Sequence, residues 1–150
     1  MKLETVKKSE FPPTRGCTSK PTISLSGKTG IIAINPVGVK HFSLGHGNAV
    51  GFCKDVEENP PEWFIILPPS AMESPDTFTL RKNSGRLVFT SKPLARKIIR
   101  DHLKKKEPNK KDHEIILDKV VHLRIAFEPV KDRDQEIPDT YALLGGTVYK

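Results

Sequence analysis

The chain contains one short pattern twice, and this repetition limits the possible folds more than any other feature. Shifted by 55 positions, TISLSGKTGIIAIN (22–35) lies on TFTLRKNSGRLVFT (77–90) without a gap. Thr22, Leu25 and Gly30 each meet an identical residue, and the apolar positions keep their alternation in both copies. Such alternation on either side of a short glycine-containing turn is typical of a β-hairpin. The sequence therefore predicts two copies of one hairpin; the simpler alternative is two unrelated hairpins.

Each hairpin is followed by a segment of helical character and then by further strands. Residues 36–42 are predicted to form one or two helical turns, with strands after them at 48–54 and 62–67. After the second hairpin, apolar residues recur at helical spacing from 93 to 105, and Pro93 suits the first helical turn. The remaining predicted elements are strands at 114–117 and 120–129, a polar loop at 131–140 and an edge strand at 141–148.

These elements predict a mainly β (α+β) chain. Two β-hairpin-plus-short-helix repeats would form a small barrel-like body or a swapped-hairpin pseudo-dimer. Residues 1–21 are predicted to be a flexible N-terminal tail, because charged residues alternate there with Ser, Thr and Pro. The first repeat spans 22–69; the second spans 70–150 and includes the basic helix 93–105 and the C-terminal strands. A chain of 150 residues has the usual size of one compact unit.

Several classes of protein are disfavoured by what the sequence lacks. It has no apolar run near the ~20 residues needed to cross a bilayer, and its start lacks the apolar core of a signal peptide. Cys17 and Cys53 are expected to be reduced thiols, since two cysteines make neither a disulfide framework nor a zinc site. We therefore predict a cytoplasmic protein without membrane attachment.

The sequence contains no complete catalytic motif. Gly27-Lys28-Thr29 copies the end of a phosphate loop, but Thr22 stands where its first glycine is required, and a strand follows instead of a helix. The five histidines form no metal-ligand spacing. The prediction is a non-enzymatic protein with no cofactor and no metal, although a triad assembled from distant residues could not be seen at this level.

The excess positive charge is confined to one segment. Between Lys92 and Lys111 there are nine basic residues and only two acidic ones, a net charge of +7, which equals that of the whole chain. Such a row beside an apolar stripe can neutralise several phosphates. The alternative interpretation is a solvated face that maintains solubility. An anionic membrane surface fits less well, because the apolar side lacks large aromatic residues.

The aromatic residues are expected to lie in the core. Trp63 and Phe64 belong to the continuous apolar strand WFIIL, and a base-stacking platform would instead need exposed aromatics interleaved with charge. Phe78, Phe89 and Phe127 are given the same interpretation.

The stretch GIIAINPVGVKHFSLGHGNAVGF (30–52) resembles the core of the AbrB-like (SpoVT/MazE-type) swapped-hairpin DNA-binding domains. Residues that fit the family's first strand, helix end, turn and next strand are Gly30, Ile32, Ile34, Phe42, Leu44, Gly47, Asn48 and Val50. Members of this family dimerise by exchanging hairpins, so the resemblance implies that two copies in one chain form an internal pseudo-dimer. The second copy supplies Gly85-Arg86-Leu87-Val88-Phe89, including the family's arginine.

The first copy departs from the family pattern at the positions that matter for DNA contact. Ile31 replaces an arginine, Asn35 a proline, Val39 a frequent basic residue and Asn48 the usual aspartate. The resemblance therefore implies that DNA contact has moved to the second copy. The predicted nucleic-acid-binding residues are Arg81, Lys82, Arg86, Lys92, Arg96, Lys97, Arg100 and Lys104.

Three functional hypotheses follow. The leading one is a nucleic-acid-binding or transcription-regulator-like protein that uses a basic face of the second repeat. The second is a protein–protein interaction or assembly module whose basic helix meets an acidic protein surface. An enzyme with a site gathered from distant loops is the third. The sequence leaves the oligomeric state open between a pseudo-dimeric monomer and a homodimer.

Overall fold

The computed structural model describes residues 2–4, 20–57, 61–72, 74–106 and 120–149. This part of the chain is mainly β, with eleven strands and two helices. In chain order they are β1 (Thr22–Ser26), β2 (Ile31–Ile34), α1 (Pro36–His41), β3 (Ala49–Asp55), β4 (Glu62–Ile66), β5 (Phe78–Thr79), β6 (Arg81–Asn83), β7 (Arg86–Thr90), α2 (Lys92–Lys106), β8 (Val120–Ile125), β9 (Lys131–Asp132), β10 (Gln135–Glu136) and β11 (Thr140–Tyr149).

Nine of these strands form a single sheet that nearly closes into a barrel. The strand order is β5-β3-β4-β11-β8-β1-β2-β7-β6. Its two terminal strands, β5 and β6, are separated in the chain only by Leu80. The Leu80 N–H donates to the Asn48 carbonyl and the Leu80 carbonyl accepts from the Gly47 N–H, both at 2.8 Å. One segment, 78–83, therefore joins the two ends of the sheet.

The two helices lie at opposite ends of this barrel. Strands β2 and β7 are antiparallel neighbours, with Ala33 paired to Val88, so their carboxyl ends point in opposite directions. Helix α1 follows β2 and α2 follows β7. We call the end that holds α2 and the β1–β2 turn (27–30) the α2 end. The end that holds α1 and the β6–β7 turn (Ser84 and Gly85) is the α1 end.

Alternating side chains fill the barrel interior. On the first hairpin, Ile23, Leu25, Ile32 and Ile34 have no exposed surface, as expected where every second residue of a strand faces a closed core. Helix α2 packs against β1, β2 and β4. Its contribution to the core is an apolar stripe that is almost completely buried: Ala95, Ile98, Ile99 and Leu103.

Local chemistry explains where α1 begins. The Asn35 side-chain oxygen accepts from the Gly38 N–H at 2.8 Å, and Pro36 occupies the first helical position, which is the arrangement preferred at helix N-termini. The same oxygen accepts from the Thr22 N–H at 3.0 Å. Asn35 therefore caps the helix and also ties it to the start of β1.

The secondary-structure predictions are largely confirmed, with four corrections. The second hairpin does not repeat the first, because residues 78–79 pair with β3 and residues 81–83, predicted as part of the turn, form β6, which pairs with β7. The strand predicted at 120–129 ends at Ile125. The strand predicted at 141–148 as an edge strand is β11, which lies between β4 and β8. Alternation of apolar residues identifies a strand but does not tell how many neighbours it has. The predicted polar loop at 131–140 contains the short antiparallel pair β9–β10. The strand predicted at 114–117 lies outside the described residues.

A further correction concerns Phe127, which is not in the core. Its side chain is 51% exposed, because β8 ends at Ile125 and Phe127 lies beyond the sheet. The core interpretation is confirmed for Phe89 and Trp63, which are 4% and 9% exposed. The predicted tail falls mostly on residues outside the described part. Pro21, at its end, is buried, and its carbonyl accepts from the Ile125 N–H.

Candidate nucleic-acid interface

Helix α2 divides into an apolar face and a basic face. With its apolar stripe directed into the barrel, the positions between the buried ones face outward. Lys92, Lys97 and Lys104 are exposed, whereas Arg96 and Arg100 are half-buried. Within the described part of the chain, the structure thus brings five of the eight predicted cations together on one helix.

Arg96 also has a structural role. Its Nη1 donates to the Gly27 carbonyl of the β1–β2 turn at 3.3 Å. The Ser91 N–H donates to the Gly30 carbonyl of the same turn at 2.9 Å. These bonds hold the first half of α2 against the first hairpin. Lys28, which is exposed in that turn, lies beside the helix and adds a further cation to the α2 end.

On its other side, α2 contacts β3 and β4 through a polar cluster. The Trp63 indole N–H donates to Asp101 Oδ2 at 2.9 Å. The Lys54 Nζ lies 5.7 Å from the centroid of the Trp63 ring, within the range of a cation–π contact. Lys97 lowers the pKa of Lys54, because the two amino groups can share a hydrogen bond only if one of them is neutral and because their like charges repel; Asp101 partly opposes this effect.

Acidic residues limit the extent of this basic surface. Asp55 and Glu62 are paired at the tip of the β3–β4 hairpin, one residue beyond the Lys54–Trp63 pair. Asp101 is the only acidic residue of α2, and it accepts from Trp63. Positive charge therefore dominates on the outer face of α2 and decreases toward the β3–β4 tip.

The three binding residues predicted on the second hairpin are not adjacent to the basic face of α2. Arg86 begins β7 and Lys92 follows its end, so roughly 13 Å of strand separates the two positions. Arg81 is paired with Val88 and therefore lies on the same face as Arg86. The Lys82 backbone N–H donates to His46 Nδ1 at 3.1 Å. All three belong to the α1 end, and the predicted continuous basic face is divided in two.

Sequence inspection did not identify Lys54. It stands alone among apolar and acidic residues on β3 and comes close to Lys97 only because α2 covers the ends of β3 and β4. No local signal marks such a contact.

The α1 end carries aromatic rings instead of a basic helix. His41 lies 5.3 Å from Phe127, and Phe42 lies 4.6 Å from Tyr141, measured between ring centroids. A shallow cavity of about 280 Å³ adjoins Phe127, and Lys20 and Arg124 are among its lining residues. Exposed rings beside cations can stack bases, but this cavity has only one such ring.

Two structural features are absent from the described part of the chain. No group of three or more His, Cys, Asp or Glu side chains in the described ranges could hold a metal ion. Neither helix is long and apolar enough to cross a membrane, as far as the chain is described. The chain matches no protein-family model, and no curated protein or solved structure is significantly similar to it.

Proposed function

We propose that the chain is a non-enzymatic nucleic-acid-binding protein that contacts backbone phosphates through α2 at the α2 end of the barrel. The observation that supports it is the division of this helix. Its apolar residues are buried in the core, while Lys92, Lys97 and Lys104 remain exposed on the other face. Burial of the apolar residues is sufficient to hold the helix on the barrel. The exposed lysines are therefore not needed for this attachment and can contact a partner.

The expected mode of binding is electrostatic. Lysine and arginine side chains neutralise phosphates and release counterions, so the affinity falls steeply with salt and depends little on sequence. Arg96 and Arg100 are half-buried, so their role would be to add positive potential behind the exposed lysines. Phosphate contacts of this kind position a protein on nucleic acid without reading its bases.

The experiment compares two variants with the same change in charge. One carries Lys92→Gln, Lys97→Gln and Lys104→Gln, and the other carries Arg81→Gln, Lys82→Gln and Arg86→Gln at the α1 end. Affinity for a short DNA duplex is measured by fluorescence anisotropy over a series of salt concentrations. We expect the α2 variant to flatten the slope of log K against log salt by about 3, or about 0.9 per lost phosphate contact. The hairpin variant should leave the slope nearly unchanged.

Either of two results would contradict this function. Equal slopes for the two variants would mean that no phosphate binds specifically at α2. Absence of binding at low salt would leave the basic helix as a protein-binding or solubilising surface. All six side chains are exposed, so loss of folding should not obscure the comparison, and thermal melting of both variants checks this.

We also propose that the barrel is an internally duplicated, swapped-hairpin body of the AbrB-like kind. Strand pairing supports this. After α1 the chain continues into β3, which pairs with β5 of the other half; after α2 it continues into β8, which pairs with β1. Ala33 and Val88, equivalent in the sequence repeat, are paired with each other.

The two hairpins nevertheless differ in register. Leu25 pairs with Ile32 across a four-residue turn, whereas Lys82 pairs with Leu87 across the two-residue turn Ser84–Gly85. Under the duplication hypothesis, this difference arose after the copies separated. Nuclear Overhauser contacts between Val50 and Phe78 and between Ser24 and His122 would test the exchanged pairing, and their absence would refute it.

A further inference from the structure

The polar cluster at the junction of α2 with β3 and β4 is more than a packing contact. Lys54 and Trp63 are directly paired across β3 and β4, and the Lys54 ammonium lies over the indole ring. The indole N–H is bonded to Asp101. Lys97 and Asp101 are four residues apart and therefore lie on the same side of α2. Each residue of the cluster is thus held by a neighbour on another element or on the next helical turn.

The arrangement places two ammonium groups side by side. Lys97 lowers the pKa of Lys54, because a hydrogen bond between the two amino groups requires one of them to be neutral and because their like charges repel, while Asp101 acts in the opposite direction. Neighbouring like charges repel, and a single carboxylate that also accepts from Trp63 compensates them only in part. An anion placed between the two ammonium groups would remove the repulsion.

We propose that Lys54 and Lys97 form a binding site for one phosphate group, with Trp63 and Asp101 holding the two lysines in place. The inference rests on the proposed nucleic-acid function for the source of that phosphate and deepens it. The proposed site adds a phosphate contact on β3, outside the helix. It also defines the side of α2 on which the bound nucleic acid would leave the helix.

The number of donors in the site favours phosphate over anions that can make only one contact. Each ammonium offers three donors as a compact charge, and a phosphate has enough oxygens to accept from both. The Asp101 carboxylate, which accepts from the Trp63 indole N–H, repels any anion, so an ion that contacts only one ammonium group gains little. A phosphate that engages both lysines gains two charge-assisted hydrogen bonds.

Trp63 provides a direct probe, because it is the only tryptophan of the chain. The full chain is titrated with inorganic pyrophosphate, and its fluorescence is compared with that in sodium chloride at equal ionic strength. We expect a saturable change with pyrophosphate and none with chloride, since the ligand moves Lys54 relative to the indole ring. Lys54→Gln should weaken the apparent affinity by about tenfold, as expected for the loss of one charge-assisted bond.

Three further variants separate binding from packing. Lys28→Gln removes an exposed cation of the same end but not of the cluster, and should leave the response unchanged. Lys54→Arg keeps the charge and should retain binding. Asp101→Asn keeps an oxygen acceptor for the indole N–H but removes the negative charge, and should tighten pyrophosphate binding several-fold. A merely structural role for the cluster predicts no such gain.

The proposal is overturned if pyrophosphate and chloride give the same fluorescence, if Lys54→Gln keeps the full response, or if Lys28→Gln weakens binding equally. Its failure is distinguishable from failure of the nucleic-acid function. If the salt dependence of DNA affinity is weaker in the α2 variant but unchanged by Lys54→Gln, only the phosphate site is refuted. A pyrophosphate response without DNA binding would confirm the site and refute the function.

Discussion

The two ends of the barrel begin in the same way and then differ. At each end a helix follows a strand, and its first residue lies next to a turn glycine with positive φ: Gly30 (φ 80°) beside Lys92, and Gly85 (φ 82°) beside Pro36. A Cβ on Gly30 would lie 2.6 Å from the Lys92 backbone nitrogen, whereas a Cβ on Gly85 would meet Pro36 Cγ at 3.8 Å. The α2 end is tightly packed at this point and the α1 end is not.

Helix length then determines what each end can do. Helix α1 has six residues, of which Gly38 is buried and Val39 packs against the core. Helix α2 has fifteen residues. It buries four apolar side chains and still presents a row of cations along several turns. The short helix only closes its end of the barrel, whereas the long helix closes its end and also presents a row of exposed lysines.

The largest expected difference between the ends is in core packing. Ile98 has no exposed surface, so Ile98→Ala should lower the free energy of unfolding by ~4 kcal/mol. Val39 is only partly buried, and Val39→Ala should lower it by ~1 kcal/mol. Equilibrium urea unfolding of the two variants checks this. Equal losses would mean that α1 contributes to the core as much as α2.

The two glycines provide the next test. Gly30→Ala combines left-handed backbone strain with overlap against the backbone of α2, and should cost ~3 kcal/mol. Gly85→Ala has the strain alone and should cost ~1 kcal/mol. The same unfolding measurement applies. Similar losses in the free energy of unfolding for the two variants would show that the start of α2 shifts without cost. The tighter packing at Gly30 would then not contribute to stability.

The smallest effect concerns pH. Because Lys97 lowers the pKa of Lys54, Lys54 should lose its proton at a lower pH than the other lysines. Affinity for DNA should therefore begin to fall with rising pH before ordinary lysines titrate. Between the folded and unfolded pKa the unfolded chain binds more protons, so the stability contribution of this group rises with pH.

Side-chain NMR titration of Lys54 measures this shift, and Lys97→Gln should return its pKa toward the ordinary lysine value. Lys104 serves as the control, since it lies on α2 but outside the cluster. A Lys54 titration that does not respond to Lys97→Gln would contradict the side-by-side arrangement of the two ammonium groups.

Much of the local structure could be predicted from the sequence. Alternation of apolar residues located β1, β2, β3, β4, β7 and β8, and the spacing of Leu94, Ala95, Ile98 and Ile99 located α2. These patterns are reliable because a strand or helix must bury one face, and its periodicity records which face that is. The same reasoning showed that the charge of α2 lies opposite its core face.

The contacts between distant elements could not be predicted in this way. Nothing in the sequence of β11 shows that it lies between β4 and β8, and nothing near Lys54 indicates Lys97. Phe127 was assigned to the core because its alternation continues that of β8, but the strand ends two residues earlier. The predicted basic face is divided because strand β7, which connects the β6–β7 turn to α2, holds the cations at its two ends apart.

The first hairpin, the helical stripe and the segregation of charge are thus properties of the sequence alone, since each depends on residues close together in the chain. Closure of the sheet through Leu80, the central place of β11 and the cluster around Trp63 were decided by tertiary structure. These depend on which strands become neighbours, and many pairings satisfy the same alternation. Only the packing of α2 over the end of the barrel turns a row of lysines and a single lysine on β3 into one surface.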